Sequence, residues 1–365
     1  MRVGLVIYGS LETISGGYLY DRMLVAHLRR AGHSVEVISL PWRNYLAHLG
    51  DNFSKTVRAA LDGIQVDVLL QDELNHPSLI RANLRYRRLR AKTLERRRTV
   101  RVSIVHHLRC SERRPVPLTF LYRRIERAYL RSVDAFLFNS RTTKDVVSRV
   151  LGIEPAGIVA VPAGDHLKLE IDEDEIAARS AELGPLRVLF LGNLIERKGL
   201  HRLMDALAQL PPETWRLNVV GSAAVEPGYA ARMFDRVRSM GWVDRVDFYG
   251  TLKDKHLVEI LRRNQVLAMP SSYEGFGIAC LEGMGMGLPV LASVHGGMVE
   301  IVRPEENGFL VDPKDSATLA RQLAILHEDR SLLARMSLAA RRTFVRHPTW
   351  EASLGPAVEY LSRLS

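Results

Sequence analysis

Four short stretches carry residue types whose spacing points to chemistry. The first is Pro270-Ser271-Ser272-Tyr273-Glu274-Gly275-Phe276-Gly277-Ile278-Ala279-Cys280-Leu281-Glu282. An apolar run, Val266 to Met269, leads into its turn, and a helix is expected to begin near Gly277. Gly275 and Gly277 let the backbone come close to a ligand, and the N–H groups opening the helix suit phosphate oxygens. Glu282, five residues on, would lie roughly 7.5 Å further along a helix rising 1.5 Å per residue. Glu274 and Glu282, so separated, can accept hydrogen bonds from hydroxyls at opposite ends of one elongated polyol. The plainer alternative is an exposed loop acid and an early-helix acid favoured by the macrodipole. The second stretch, Arg197-Lys198, precedes a helical pattern. Cations oppose the macrodipole there, so a bound anion accounts for the pair better than solvent does. The third, Gly16-Gly17, follows the first apolar run and by itself is only a tight turn. The fourth is His106-His107, at the end of another apolar run, where an ordinary satisfied strand-end histidine is the simplest expectation.

The elements that would position these residues alternate. Val3 to Tyr8, Ser34 to Leu40, Asp67 to Leu70, Val100 to Val105 and Ala135 to Asn139 are apolar or β-branched runs bounded by turn residues. Helical spacing lies between them, as in Met23, Leu24, His27 and Leu28. A second alternation follows, with Arg187 to Leu191, Leu217 to Val220, Val246 to Tyr249, Val266 to Met269 and Pro289 to Ala292. Strand–helix alternation implies a parallel sheet covered on both faces, so the expected class is α/β with two doubly wound domains. The expected division is 1–167, an acidic linker over 168–184, and 185–349, followed by a helix near the C-terminus. Asp172-Glu173-Asp174 in that linker is formally an Asp-x-Asp metal signature. No strand runs into it and no glycine-rich loop accompanies it, so it reads as a solvated helix start.

Read as one string, Glu274 and Glu282 with seven residues between them, Gly-Phe-Gly after the first and Gly287-Leu288-Pro289-Val290 after the second closely resemble the signature of family-4 glycosyltransferases. Gly192-Asn193-Leu194-Ile195-Glu196-Arg197-Lys198-Gly199, Ser15-Gly16-Gly17, Ala31-Gly32-His33-Ser34-Val35-Glu36-Val37, Gly296-Gly297 with Glu300, and Asn307 to Val311 resemble its companion segments. The resemblance implies GT-B architecture, two Rossmann-like domains facing across a cleft, with 350–365 crossing back to complete the first. It implies a retaining hexosyltransferase taking a UDP-, GDP- or ADP-sugar, with no metal or other cofactor required. Arg197 and Lys198 would neutralise the departing diphosphate. Glu274 would bind donor-sugar hydroxyls, Glu282 the ribose, and the backbone of Gly275, Phe276 and Gly277 would cap sugar and phosphates. Gly16 and Gly17 would admit the donor to the first domain. His106, favoured over its neighbour His107, would face the donor sugar, and Gly221 and Leu252 would line the base pocket. No second carboxylate suits a double-displacement nucleophile of the retaining-glycosidase type, and the resemblance implies transfer from the front face. The chain departs from the pattern at Glu282-Gly283-Met284-Gly285-Met286-Gly287, which implies tighter packing or a shorter helix, and at Met298-Val299.

Composition bounds the remaining possibilities. The chain has 365 residues, 47% hydrophobic and 25% charged, which excludes a disordered or fibrous protein. Two cysteines, Cys110 and Cys280, make neither a disulfide framework nor a Cys-based zinc site, so a reducing cytoplasmic setting is expected. The net charge of +10 is concentrated: residues 81–131 hold 17 Lys and Arg against Glu95, Glu112 and Glu126, a local +14 that leaves −4 for the other 314 residues. Ile80, Leu84, Ala91 and Leu94 form one imperfect apolar stripe there, and Leu118, Leu121, Ile125 and Ala128 a second. The segment suits an anionic membrane surface with a lipid or lipid-linked acceptor, a polyanionic acceptor, or two ordinary surface helices. Nucleic-acid binding would leave the Glu and Arg-Lys constellation without a purpose. A nucleotide-sugar epimerase on the same fold is the nearer alternative. Oligomeric state is not legible.

Overall fold

The computed structural model describes residues 1–90, 99–112 and 115–365. It divides into two compact units, Met1–Pro162 with Trp350–Ser365, and Ala163–Thr349.

The first unit is built on six parallel strands: β1 (Arg2–Tyr8), β2 (Ser34–Leu40), β3 (Val68–Asp72), β4 (Val100–Val105), β5 (Ala135–Phe138) and β6 (Gly157–Val159). Their order is β2-β1-β3-β4-β5-β6. Strand β1 runs in register with β2 from Arg2–Ser34 to Tyr8–Leu40. Strands β3, β4 and β5 are buried along their whole length, which encloses even the polar Gln71, Asp72, Arg101 and Ser103 that they carry. Ser15 caps the helix Gly16–Arg30 by accepting from the Tyr18 N–H, a standard N-terminal stop for an otherwise unpaired donor. The C-terminal helix Trp350–Leu364 belongs to this unit. The buried Trp350 ring meets Tyr20 edge-on at 5.8 Å, and Glu351 reaches His27 at 3.2 Å.

The second unit repeats the plan with β7 (Leu186–Leu191), β8 (Trp215–Val220), β9 (Val246–Gly250), β10 (Val266–Met269), β11 (Val290–Ser293) and β12 (Gly308–Val311), ordered β12-β11-β10-β7-β8-β9. Its core gathers Val188, Phe190, Leu203, Leu217 and Ala268 around Trp215 and Trp242, whose rings meet edge-on at 4.9 Å.

Several expectations change. The acidic stretch 168–184 is not a free tether: it carries the helix Glu173–Ala181, whose Ile176, Arg179 and Ser180 are buried in the second unit. Asp172 caps that helix, its Oδ1 accepting the Glu175 N–H at 2.7 Å, which accounts for the Asp-x-Asp pattern without a metal. Strands β6 and β12, three and four residues long, were not anticipated as strands. The apolar stripe begun by Ile80 and Leu84 lies on the helix His76–Arg90, and its further members Ala91 and Leu94 lie outside the described residues. The stripe on Leu118 and Leu121 does not face a core. Both are exposed, and the buried side of the helix Val116–Leu130 presents Glu126, Tyr129 and Leu130. Glu126 is buried because its carboxylate accepts the N–H groups of Arg109 and Cys110, a polar cap that apolar periodicity cannot report.

Candidate active site

Chain direction decides where each sheet can hold a ligand. In the second unit the chain goes from β7 outward through β8 and β9, then returns to place β10 on the other side of β7. Loops leaving the carboxyl ends of β7 and β10 therefore part company, and such reversal points hold ligands in open α/β sheets. Arg197 and Lys198 leave β7, and Glu274 leaves β10. Lys198 Nζ donates to Glu274 Oε1 at 2.6 Å, and Arg197 Nη1 lies 3.5 Å from the same oxygen. Arg197 also donates to the Tyr273 carbonyl at 2.8 Å, and the Ser272 N–H returns a bond to the Arg197 carbonyl at 2.8 Å. Glu274 is 6% exposed, so it is not the exposed loop acid of the plainer alternative. Burial alone would raise its pKa, but Lys198 and then Arg197 hold it down at about 2.

Gly277, with φ of 97°, turns the chain into the helix Ile278–Gly285. A Cβ there would strike Met298 Sδ, so the unusual Met298 fills space that only glycine leaves. Gly283 packs on Leu267 of β10, where a Cβ would come within 2.8 Å of Leu267 Cδ2. The glycine-rich departure thus gives both a short helix and close packing. Phe276 is buried, its ring 5.8 Å from His347. Glu282 is 8% exposed, and its Oε1 lies 3.1 Å from His166 Nε2. Gly221 follows β8 and donates its N–H to Gly250 at the end of β9, while Leu252 is half-buried just beyond. These two belong to the same edge of the sheet but not to the Arg197–Lys198–Glu274 cluster. His166 escaped the sequence reading: it stands 116 positions from Glu282, and no spacing rule links them.

The first unit has its own reversal, between β1 and β3. Gly16 and Gly17 open the helix after β1, Asp72 and Glu73 end β3, and His106 follows β4. A Cβ on Gly17 would lie 3.2 Å from His106 Cδ2, so the diglycine leaves room for the imidazole. The His106 N–H donates to Glu73 Oε2 at 2.7 Å, and its carbonyl accepts from Asn139 at 2.8 Å. His106 Nε2 faces Asp21 Oδ1 at 3.4 Å. His107 turns aside to Glu112 at 3.0 Å. Burial would lower the His106 pKa, but Asp21, Asp72 and Glu73 raise it to about 10. Burial, then the Asp21 charge, lifts Asp72 to about 7, and burial with Asp72 raises Glu73 well above the carboxylate range. Ligand atoms of Asp21, Asp72 and His106 all lie within 4.8 Å of one another. None of the three acids had been singled out. The available signal was Asp21 one helical turn after Gly17, and an acid pair at a strand's carboxyl end.

The model of the family "Glycosyl transferases group 1" matches residues 172–343, and that of "Glycosyltransferase Family 4" matches 20–165. The chain carries a glycosyltransferase domain in each of these two regions. A D-inositol 3-phosphate glycosyltransferase of Xylanimonas cellulosilytica is 32% identical over 218 residues, 57% of this chain and 52% of the relative. A glycogen synthase of Mycobacterium tuberculosis is 28% identical over 233 residues, 62% and 53% respectively. The chain thus spans about half the length of the curated relatives it matches. Among solved structures, sucrose-phosphate synthase from Thermosynechococcus elongatus superposes with a TM-score of 0.81 at 21% identity, covering 100% of this chain and 98% of that one. The Anabaena HepE protein, solved with UDP and glucose, gives 0.74 at 20% identity and 99% coverage of both chains. At these identities the likeness is one of fold: two parallel six-stranded α/β sheets of GT-B type.

Proposed function

We propose that this glycosyltransferase moves a hexose-type sugar from a nucleoside-diphosphate donor to an acceptor hydroxyl, with retention and without a metal at the diphosphate. The observation that carries the reading is the Arg197–Lys198–Glu274 cluster at the β7/β10 reversal. As the anomeric carbon–oxygen bond breaks, negative charge grows on the leaving phosphate. Two fixed cations beside it stabilise that charge most where water is excluded. Glu274, held ionised by the same cations, accepts hydrogen bonds from sugar hydroxyls, and Glu282 does so for the ribose. The acceptor oxygen forms its bond to the anomeric carbon on the face the phosphate leaves, and its proton passes to the departing phosphate oxygen. His106 faces the donor sugar, with Gly16 and Gly17 giving it room. Gly221 and Leu252 line the base pocket, and the backbone of Gly275, Phe276 and Gly277 closes over sugar and phosphates. A HepE structure with UDP-glucose supports a nucleotide-sugar donor by analogy of fold.

A thermal-shift panel of UDP-, GDP- and ADP-sugars tests the donor class. A ligand at about 100 times its Kd stabilises by about 2.7 kcal/mol, so one base should raise the melting temperature by several degrees and the others should not. Flat responses to all three would overturn the reading.

The acceptor belongs to an anionic membrane surface in this reading. Leu84, Leu89, Val116, Leu118, Phe120 and Leu121 are exposed on two helices that also display Arg88, Arg123, Arg124 and Arg127. Apolar side chains beside arginines suit a headgroup layer, where each cation contributes about 1 kcal/mol. Among the described residues no helix is long and apolar enough to cross a membrane. Flotation with anionic vesicles at low salt should recover the protein, and neutral vesicles should not. Equal recovery would sink the membrane assignment and leave the donor reading untouched.

A further inference from the structure

Arg109 is a half-buried cation that sits on the loop after β4, three residues beyond His106. Its guanidinium lies 4.9 Å from the centre of the Tyr45 ring and 5.6 Å from that of Tyr122, and the two rings meet edge-on at 4.9 Å. Both approaches are cation–π contacts. Among the described residues no carboxylate pairs with this guanidinium and no carbonyl accepts from it. The tyrosine rings attract its charge, but they are not the oxygen acceptors that its five N–H donors match.

The cradle is held from several sides. The N–H groups of Arg109 and Cys110 donate to separate oxygens of Glu126, which fixes the backbone beneath the guanidinium. Burial pushes the Glu126 carboxyl up to about 7, so at neutral pH it offsets only part of the Arg109 charge. Glu112, close by in sequence, is joined to His107 at 3.0 Å. Tyr45 opens the helix Tyr45–Asp51 and is fixed by His76, whose pKa burial lowers to about 3, leaving a neutral ring. His76 Nδ1 lies 2.8 Å from the Glu73 carbonyl, which can only accept, so Nδ1 carries the proton. His76 Nε2 therefore accepts the Tyr45 O–H, at 2.9 Å. Glu73 also accepts the His106 N–H at 2.7 Å. One residue at the end of β3 thus anchors both His106 and a wall of the Arg109 cradle.

A guanidinium held in place with its donors unspent matches an oxyanion, which it can grip through two parallel N–H···O bonds. Its place also suits a ligand, because open α/β sheets bind theirs beyond the carboxyl ends of the strands. We propose that Arg109, between Tyr45 and Tyr122, is an oxyanion site that holds a phosphate or carboxylate borne by the acceptor. The acceptor is then anchored on the same loop that carries His106. That the anion belongs to the acceptor rests on the transferase reading above; the anion site does not.

The test titrates the full chain with inorganic phosphate by calorimetry at constant ionic strength. Phosphate also meets Arg197 and Lys198, so the comparison is between the wild type and Arg109→Gln, in which the second unit is untouched. The wild type should show one phosphate site that Arg109→Gln lacks or binds at least tenfold more weakly. Should Arg109→Gln fail to fold, Arg109→Lys carries the test: it keeps the charge but loses the fork, and should bind phosphate at least threefold more weakly. Equal phosphate binding by the wild type and the folded variant would overturn the proposal. Competition against phosphate then distinguishes the sources of the anion: glucose 6-phosphate for a soluble phosphate, glucuronate for a carboxylate, phosphatidylglycerol vesicles for a lipid headgroup. At least one should displace phosphate from the Arg109 site, and neutral glucose should not; displacement by none of the three would overturn the acceptor assignment. Because phosphate uptake is read without donor or transfer, its failure is distinguishable from failure of the transferase reading.

Discussion

Lys198 Nζ and Glu274 Oε1 stand 2.6 Å apart although 76 positions separate them in sequence. One residue leaves β7 and the other β10, the neighbouring strands between which the chain reverses. The sheet topology therefore creates a charged pair that neither loop specifies alone. The pair is largely withdrawn from water, with side-chain exposures of 18% and 8%. Arg197, 3.5 Å from the same oxygen, leaves the group with one net positive charge before any ligand arrives. A diphosphate brings the charge that this arrangement lacks.

Removing either cation should cost activity far more than stability. Lys198→Ala and Arg197→Ala are expected to lower kcat/KM for transfer at least 100-fold. Breaking a buried ion pair costs roughly 3–5 kcal/mol, but each variant retains one cation beside Glu274, so the loss should sit at or below the low end. Urea denaturation alongside steady-state kinetics separates the two effects. Transfer like that of the wild type in both variants would refute the donor site.

Acid should expose the same pair. Glu274 has its folded pKa lowered from 4.5 to about 2. A depressed carboxylate contributes stability that is present above the unfolded pKa and lost as pH falls through the folded one. The window is thus pH 4.5 down to 2, with an amplitude of about 3 kcal/mol at about 1.4 kcal/mol per unit. Glu274→Gln should flatten the stability–pH curve in that window relative to the wild type. Parallel curves for the two proteins would show that the pair carries no such linkage.

The sequence made the second unit's site legible because its chemistry is packed into contiguous loops. Glu274, Gly277 and Glu282 fall within nine residues, and Arg197-Lys198 is a dipeptide. The three-dimensional pairings were hidden for a physical reason. His166 reaches Glu282 from a segment with no helical or strand periodicity, and Asp21, Asp72 and Glu73 meet His106 only because β1, β3 and β4 lie side by side. Strand alternation revealed ten of the twelve strands among the described residues. Strand β6 is a three-residue edge beside Pro155, too short and too exposed to leave a hydrophobic signature. The amphipathic stripe expected on the helix Val116–Leu130 failed because that helix buries an acid, Glu126, in a polar cap.

His166 should tune donor affinity through Glu282. The two are joined at 3.1 Å, and Glu282 is the residue assigned to the ribose. His166→Ala frees the carboxylate to reorient, so KM for the donor should rise about three- to tenfold while kcat changes little. His166→Gln, which keeps a donor at similar reach, should recover most of the loss. An unchanged KM in His166→Ala would remove His166 from the site, whereas a fall in kcat alone would place its effect on the chemical step.

Gly17→Ala separates packing from chemistry in the first unit. Gly17 lies in the first turn of the helix Gly16–Arg30, where alanine is favoured over glycine by up to about 1 kcal/mol. Its new Cβ, however, would come within 3.2 Å of His106 Cδ2, tighter than ordinary contact, so the imidazole must shift by a few tenths of an ångström. The two effects oppose each other in stability and should nearly cancel, leaving the melting temperature within about 2 °C of the wild type. They do not cancel in function under the proposed transferase reading, in which His106 faces the donor sugar and a displaced ring would not. Transfer should therefore fall about tenfold or more in a protein that is as stable as its parent. Undiminished transfer at unchanged stability would show that the position of the His106 ring is not critical to the reaction.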